Sequence, residues 1–264
     1  MHGPKLPYRY DHYTWPEFPA LIARQPVCII PIGSVEDHGR HLPLDTDNFL
    51  IASVCDAVAE RIPEEVLLLP VIPYGFEDHH MSFPGTITVK PEHLEAFVLD
   101  ITLSLAHHGF QKILLADGHG SNMPILDLAA RKTIIQSNAL CACFIWPSLI
   151  TGLLKETRES PFPGGMSHAC ELETSVYLYL NESAVYMDRA VREIDFHKSK
   201  LLARPGGRPG GAHGGVVDAH FQVGRDRRPH HRHAGEGQGV VRRHRGEPDR
   251  VHPRVPGIRG AGEA

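Results

Sequence analysis

Apolar residues in this chain fall into two recurring patterns. Short unbroken runs occupy positions 27–32, 66–72, 112–116 and 140–146. Longer stretches, 49–61, 91–108, 123–136 and 171–180, place apolar residues every three or four positions. The runs have the length and aliphatic content of strands buried on both faces, and the stretches have the period of helices with one apolar stripe. Strand and helix alternate, which predicts an α/β fold with three αβα layers and a mainly parallel sheet. Sites in such sheets lie at the carboxyl ends of the strands. The chain contains no internal repeat and no phosphate-binding glycine loop.

Polar clusters stand where these elements meet. Glu36-Asp37-His38 follows the first run, and Asp47 comes nine residues after the histidine. Extended backbone puts Glu36 and His38 on the same side, and Gly39 and Pro43 let the chain turn so that Asp47 comes back to them. Two carboxylates and an imidazole at a strand end suit a divalent cation of the zinc or manganese kind; the alternative is a polar loop that caps a strand. The third run leads into Asp117-Gly118-His119-Gly120-Ser121-Asn122, where glycines permit a sharp turn and leave the imidazole unobstructed. Ser167-His168-Ala169-Cys170-Glu171-Leu172-Glu173-Thr174-Ser175 opens the last helix, and its two glutamates suit the positive end of the helix dipole. His168 alone reads more readily as a surface histidine. Three clusters with the same ligand chemistry strengthen the metal reading.

These segments resemble the signature of the creatininase (creatinine amidohydrolase) family. That signature has a Glu-x-His-Gly-x-His-Leu-Pro block ending in Thr-Asp, an Asn-Gly-His-Gly-x-Asn block, and a His-Ala-Gly-Glu-x-Glu-Thr-Ser block. Phe83-Pro84-Gly85-Thr86-Ile87 matches a further family segment between the first two. The resemblance covers residues 14–202 in order and departs at Asp117, Ser121 and Cys170. It implies a two-metal hydrolase with two divalent ions per chain, zinc, manganese or iron. Glu36, His38, Asp47 and His119 would be ligands, with Asp47 the bridge, and His168 the catalytic proton shuttle. Creatininase supplies a further carboxylate from the position of Ser121, for which serine is a poor substitute. Glu173 is therefore the expected remaining ligand, as in relatives lacking that carboxylate.

The implied chemistry is a metal-activated water attacking a polarised carbonyl, with an imidazole carrying the proton to the leaving group. A small-molecule substrate is expected, cleaved at a C–N bond of a cyclic or linear amide. Trp146-Pro147 and the loop from Pro161 to Met166 do not closely match creatininase itself, so C–C ring opening of a cyclic keto-polyol, a keto-inositol, is the second reading. An inactive metal-binding relic is the third. The resemblance also implies a homo-oligomer, a hexamer built from dimers.

Composition adds two constraints. The chain of 264 residues is long enough for one sizeable core plus an appendage. Five cysteines without a spaced framework, no apolar run of membrane-spanning length and a polar start predict a cytoplasmic protein without a membrane partner. Residues 1–202 carry 15 basic and 25 acidic groups, whereas 203–264 hold 12 arginines, 14 glycines and 6 acidic residues and no Ser, Thr, Lys or Leu. Such a tail can be read as a basic arm for nucleic acid or as low-complexity chain. A frameshifted translation of a GC-rich gene fits better. Reading Val216 to Gly237 one nucleotide later allows Gly-Asp-Pro-x-x-Ala-x-x-Glu-Lys-Gly, which resembles the family's C-terminal motif, and an amphipathic helix can follow. The expected organisation is a hydrolase domain over 1–202 and an aberrant tail over 203–264, with no nucleic-acid partner. The seven tail histidines, His213 to His252, are not read as a metal site.

Overall fold

A computed structural model describes residues 5–160 and 166–192. Four strands, β1 (Val27–Ile32), β2 (Val66–Leu68), β3 (Lys112–Asp117) and β4 (Leu140–Ile145), form one sheet in the order β2-β1-β3-β4, and every neighbouring pair is parallel. The helices are α1 (Phe18–Arg24), α2 (Thr46–Arg61), α3 (Pro91–His107), α4 (Met123–Gln136), α5 (Thr151–Thr157) and α6 (Glu171–Asn181).

The period-two geometry of β1 divides the core. Cys28, Ile30 and Ile32 pack with Leu94, Val98 and Leu105 of α3 and Leu126, Ala129 and Ala130 of α4. Ile29 packs on the opposite side with Leu50, Ile51 and Cys55 of α2 and Tyr177 of α6. Helices therefore cover both faces, giving the expected three αβα layers.

Two boundaries differ from the pattern by more than one residue. The run 66–72 does not form one strand: β2 stops at Leu68, because Pro70 has no N–H to give a ladder. Pairing resumes at Ile72, whose N–H donates to the Pro31 carbonyl at 2.9 Å and whose carbonyl accepts from Gly33 at 3.0 Å. Helix α2 begins at Thr46 rather than 49: Thr46 Oγ1 donates to the Pro43 carbonyl at 2.7 Å, and the Phe49 N–H already donates to Asp45 at 2.8 Å. Asp47 thus lies in a helical first turn and not in a loop. The proposed division at residue 203 lies outside the described residues.

Strand order reverses at β1, which has β2 on one side and β3 on the other. The crevice between the carboxyl ends of β1 and β3 is where such a sheet leaves room for a site. Gly118, just past β3, lets these ends close up on α2: a Cβ there would stand 2.6 Å from the Asp47 carbonyl oxygen.

Candidate metal centre

Past β1 the chain stays extended long enough for Val35 to form a single antiparallel bridge with Ile87. Gly39 then takes a left-handed φ of 68°, which turns the backbone towards α2. Glu36 and His38 are fully buried between these points, and Asp47 meets them from the first turn of α2. Asp47 Oδ1 lies 3.1 Å from His38 Nε2, and its other oxygen lies 3.1 Å from His119 Nδ1. Ser34 Oγ donates to that second oxygen at 2.5 Å and fixes the carboxylate. One oxygen towards each imidazole is the disposition a bridging carboxylate needs.

The remaining predicted residues close around this core. Glu36 Oε1 is 2.8 Å from His119 Nδ1. Glu173 accepts the Cys170 N–H at 2.9 Å through one oxygen, capping α6, and presents the other 3.9 Å from His38 Nε2. His168 Nδ1 lies 3.6 Å from Glu36 Oε1, and its ring centroid stands 4.5 Å from that of His38. All six residues singled out in the sequence come together. Asp117 supports the group from behind: its Oδ1 accepts the His119 N–H at 3.1 Å and Asn122 Nδ2 at 3.2 Å.

The sequence reading missed the segment Glu77 to His80. Glu77 is fully buried with Oε1 2.7 Å from His119 Nε2, and His80 Nδ1 contacts Glu36 Oε2. A signal for it existed. The segment follows the second apolar run and repeats the acid-and-imidazole pattern of the other strand ends.

Burial and mutual charge set the protonation of the cluster. Burial lifts Glu77 to about 9 and Glu173 and Asp117 to about 7. Burial opposes the charged form of His38, but Asp47, Glu173 and Glu36 outweigh it and raise that imidazole to about 10. Burial likewise opposes charge on His119, yet Glu36, Asp47 and Glu77 hold it well above the ordinary range. Against the same burial, His119 keeps Glu36 low, and His38 does so for Asp47. His168 goes the other way, to about 3, through burial and the neighbouring charge of His38. Protons thus occupy places where the carboxylates call for positive charge.

Several buried polar atoms, though in close contact with one another, have no aligned hydrogen-bond partner: both oxygens of Glu36 and of Glu77, His38 Nε2, His80 Nδ1, His119 Nε2 and His168 Nε2. Buried polar atoms are rarely left so, and here they converge. Three groups among the described residues bring ligand atoms within 4.8 Å of one another: Glu36, Glu77, His79 and His119; Glu36, His38 and His168; and His38, Asp47 and Glu173. Mixed carboxylate and imidazole donors fit a divalent transition metal such as zinc or manganese.

A family model described as creatinine amidohydrolase matches residues 11–220, running past the change of composition near Ala203. Creatinine amidohydrolase of Pseudomonas putida is 33% identical over 197 residues, covering 67% of this chain and 74% of that protein. A mycofactocin precursor peptide peptidase of Mycobacterium ulcerans is 34% identical over 176 residues, 62% of each chain. A 3-dehydro-scyllo-inosose hydrolase of Thermotoga maritima is 31% identical over 167 residues, 62% of this chain and 53% of that one. The chain therefore spans less than two thirds of the last two relatives. Among solved structures, a manganese form of creatininase superposes with a TM-score of 0.63 at 27% identity, covering 81% of this chain and 84% of that chain. A zinc–zinc form of a creatininase mutant gives a TM-score of 0.61 at the same identity and coverage.

Proposed function

The chain belongs to the creatininase family, and from that footing we propose that it is a metal-dependent hydrolase that cleaves a C–N bond of a small cyclic or linear amide. The observation that carries this reading is Asp47, with one oxygen 3.1 Å from His38 and the other 3.1 Å from His119. We assign His38, Asp47 and Glu173 to one divalent cation and Glu36, Asp47 and His119 to a second. Bound there, the cations would supply an acidified water and a polarised carbonyl.

The chain's own residues do the rest. Ser34 holds the Asp47 carboxylate in orientation, and the buried walls around Glu36 and His38 keep bulk water out. His168 is the most exposed member, with 19% of its side chain accessible, so it stands where substrate arrives. Its depressed basicity leaves the imidazole neutral, and its Nε2 has no hydrogen-bond partner. That nitrogen takes the proton released from the attacking water and returns it to the leaving nitrogen.

The similarity to the inosose hydrolase supports a second reading, C–C ring opening of a cyclic keto-polyol, in which the same attack falls on a ketone. One experiment separates the readings. The full chain loaded with zinc or manganese is assayed on creatinine and related cyclic amides, short peptides and cyclic keto-polyols, with and without a chelator. Turnover of one class that vanishes on chelation is expected. Activity indifferent to the chelator overturns the metal-dependent reading, and metal-loaded protein inert on the whole panel marks the chain as a metal-binding relic.

A further inference from the structure

Glu77 enters the centre from the connection between β2 and α3, which contributes none of the ligands assigned above. Its backbone is anchored on both sides of its Cα: the Glu77 N–H donates to Thr88 Oγ1 at 2.9 Å, and its carbonyl accepts from the His80 N–H at 3.0 Å. The side chain is fully buried, whereas its neighbour Asp78 is exposed. Oε1 lies 2.7 Å from His119 Nε2.

The geometry of an imidazole gives that contact its meaning. The two ring nitrogens point in diverging directions, so one cation takes only one of them. Nδ1 of His119 faces Glu36 Oε1 at 2.8 Å and Asp47 Oδ2 at 3.1 Å. A cation held by those two carboxylates would meet Nδ1, and the ring proton would then sit on Nε2, on the side of Glu77. Glu77 Oε1, 2.7 Å from Nε2, faces the other ring nitrogen. Glu77 and Glu36 also bring ligand atoms within 4.8 Å of each other, so a direct ligand role for Glu77 is the rival that the glutamine variant tests. In this structure the Glu77–His119 pair has the distance of a hydrogen bond without its alignment, as neither atom has a directed partner. Such bonds commonly tighten only when the site is filled.

Resting on the metal-dependent reading above, we propose that Glu77 is the positioning residue of the second cation. It accepts the Nε2–H of His119, which fixes the tautomer and ring orientation that present Nδ1 to the metal. Carboxylates that hold metal-bound histidines in this way influence affinity through the ligand they orient.

The test is manganese(II) titration of the full chain, with free ion read by electron paramagnetic resonance, for wild type, Glu77→Ala and Glu77→Gln. The tail histidines give the same background in each. Glu77→Ala should still bind two ions at saturation, with one weakened roughly 10- to 100-fold. Glu77→Gln keeps an oxygen that can accept the Nε2–H and should recover most of that loss. Nitrogen-15 resonances of His119 in the zinc-loaded wild type should show Nε2 protonated and Nδ1 coordinated. Unweakened binding by Glu77→Ala, loss of a whole ion in Glu77→Gln, or coordination through Nε2 would each overturn the proposal. Circular dichroism of the metal-free variants guards against misfolding, and Glu77→Gln, nearly isosteric, carries the decision if Glu77→Ala does not fold. A wild type that binds no ion defeats the underlying metal reading instead, so the two failures are distinguishable.

Discussion

At the scale of single residues, the centre turns on Asp47. Its two oxygens serve opposite sides, so Asp47→Ala should fall from two bound ions to fewer than one by metal analysis. Full metal content in that variant would show that Asp47 is not a bridge. His168 is expected to act on protons and not on the metal. His168→Ala should reduce turnover by about a hundredfold or more with metal content nearly intact; parallel loss of metal would make it a ligand. Uptake of metal should itself depend on pH. In the metal-free protein Glu173 is lifted to about 7 and His38 to about 10, so at neutral pH His38 holds a proton and Glu173 is partly protonated, and a cation must expel both protons. Affinity should therefore rise from pH 6 to pH 8, and calorimetry in buffers of different ionisation enthalpy should register released protons. Glu36, His38 and His119 were legible from the residues because each follows an apolar run, flanked by glycine or paired at short spacing, and Gly39 and Pro43 suggested the return of Asp47. Glu173 as a ligand and His168 as the shuttle came from the family resemblance. The segment of Glu77 carried the same acid-and-imidazole pattern, but Glu77 itself was not legible. It stands in an unbroken polar string with Asp78, His79 and His80, and only packing decides that Glu77 goes inside while Asp78 stays out.

At the scale of elements, the placement of α2 matters most. Its start at Thr46 was hidden because Pro43 and Asp45 look like loop, whereas the Thr46 hydroxyl bond to Pro43 winds the helix early. β1 and β3 were legible as uninterrupted aliphatic runs; β2 was over-read because Pro70 interrupts the ladder without interrupting the apolar pattern. Gly118→Ala tests how tightly β3 and α2 are wedged. The added methyl would stand 2.6 Å from the Asp47 carbonyl, a backbone atom with little room to yield. We expect a loss of about 1–3 kcal/mol in urea unfolding together with weaker metal binding. Unchanged stability would show that α2 can slide freely. Helix α6 is tied to the same region, since Tyr177 donates to Asp45 Oδ1 at 3.1 Å and Thr174 Oγ1 pairs with His41 Nε2 at 2.9 Å.

At the scale of the whole molecule, the alternation of runs and stripes was enough to read three layers and a parallel sheet. Strand order was not legible, because many orders share one alternation and only the packing of each crossover selects among them. Stripping the cations should lower the melting temperature by roughly 5–10 °C, the shift for a chain of this size when ligand is held near a hundred times its dissociation constant. A melting curve unmoved by chelator would mean that the acid cluster is satisfied without metal. The order β2-β1-β3-β4 also has a kinetic consequence. The residues that converge on the crevice come from the ends of three strands and the starts of two helices. Glu36, His38 and Asp47 are near one another in sequence, but His119, Glu77 and Glu173 join them only when the crossovers are in place. A cation encountering the unfolded chain finds only that local fragment of the cluster, too few ligands to act as a strong nucleus. Its influence falls on escape from the native state: in a chevron plot the unfolding limb should drop when metal is added, while the refolding limb stays where it was.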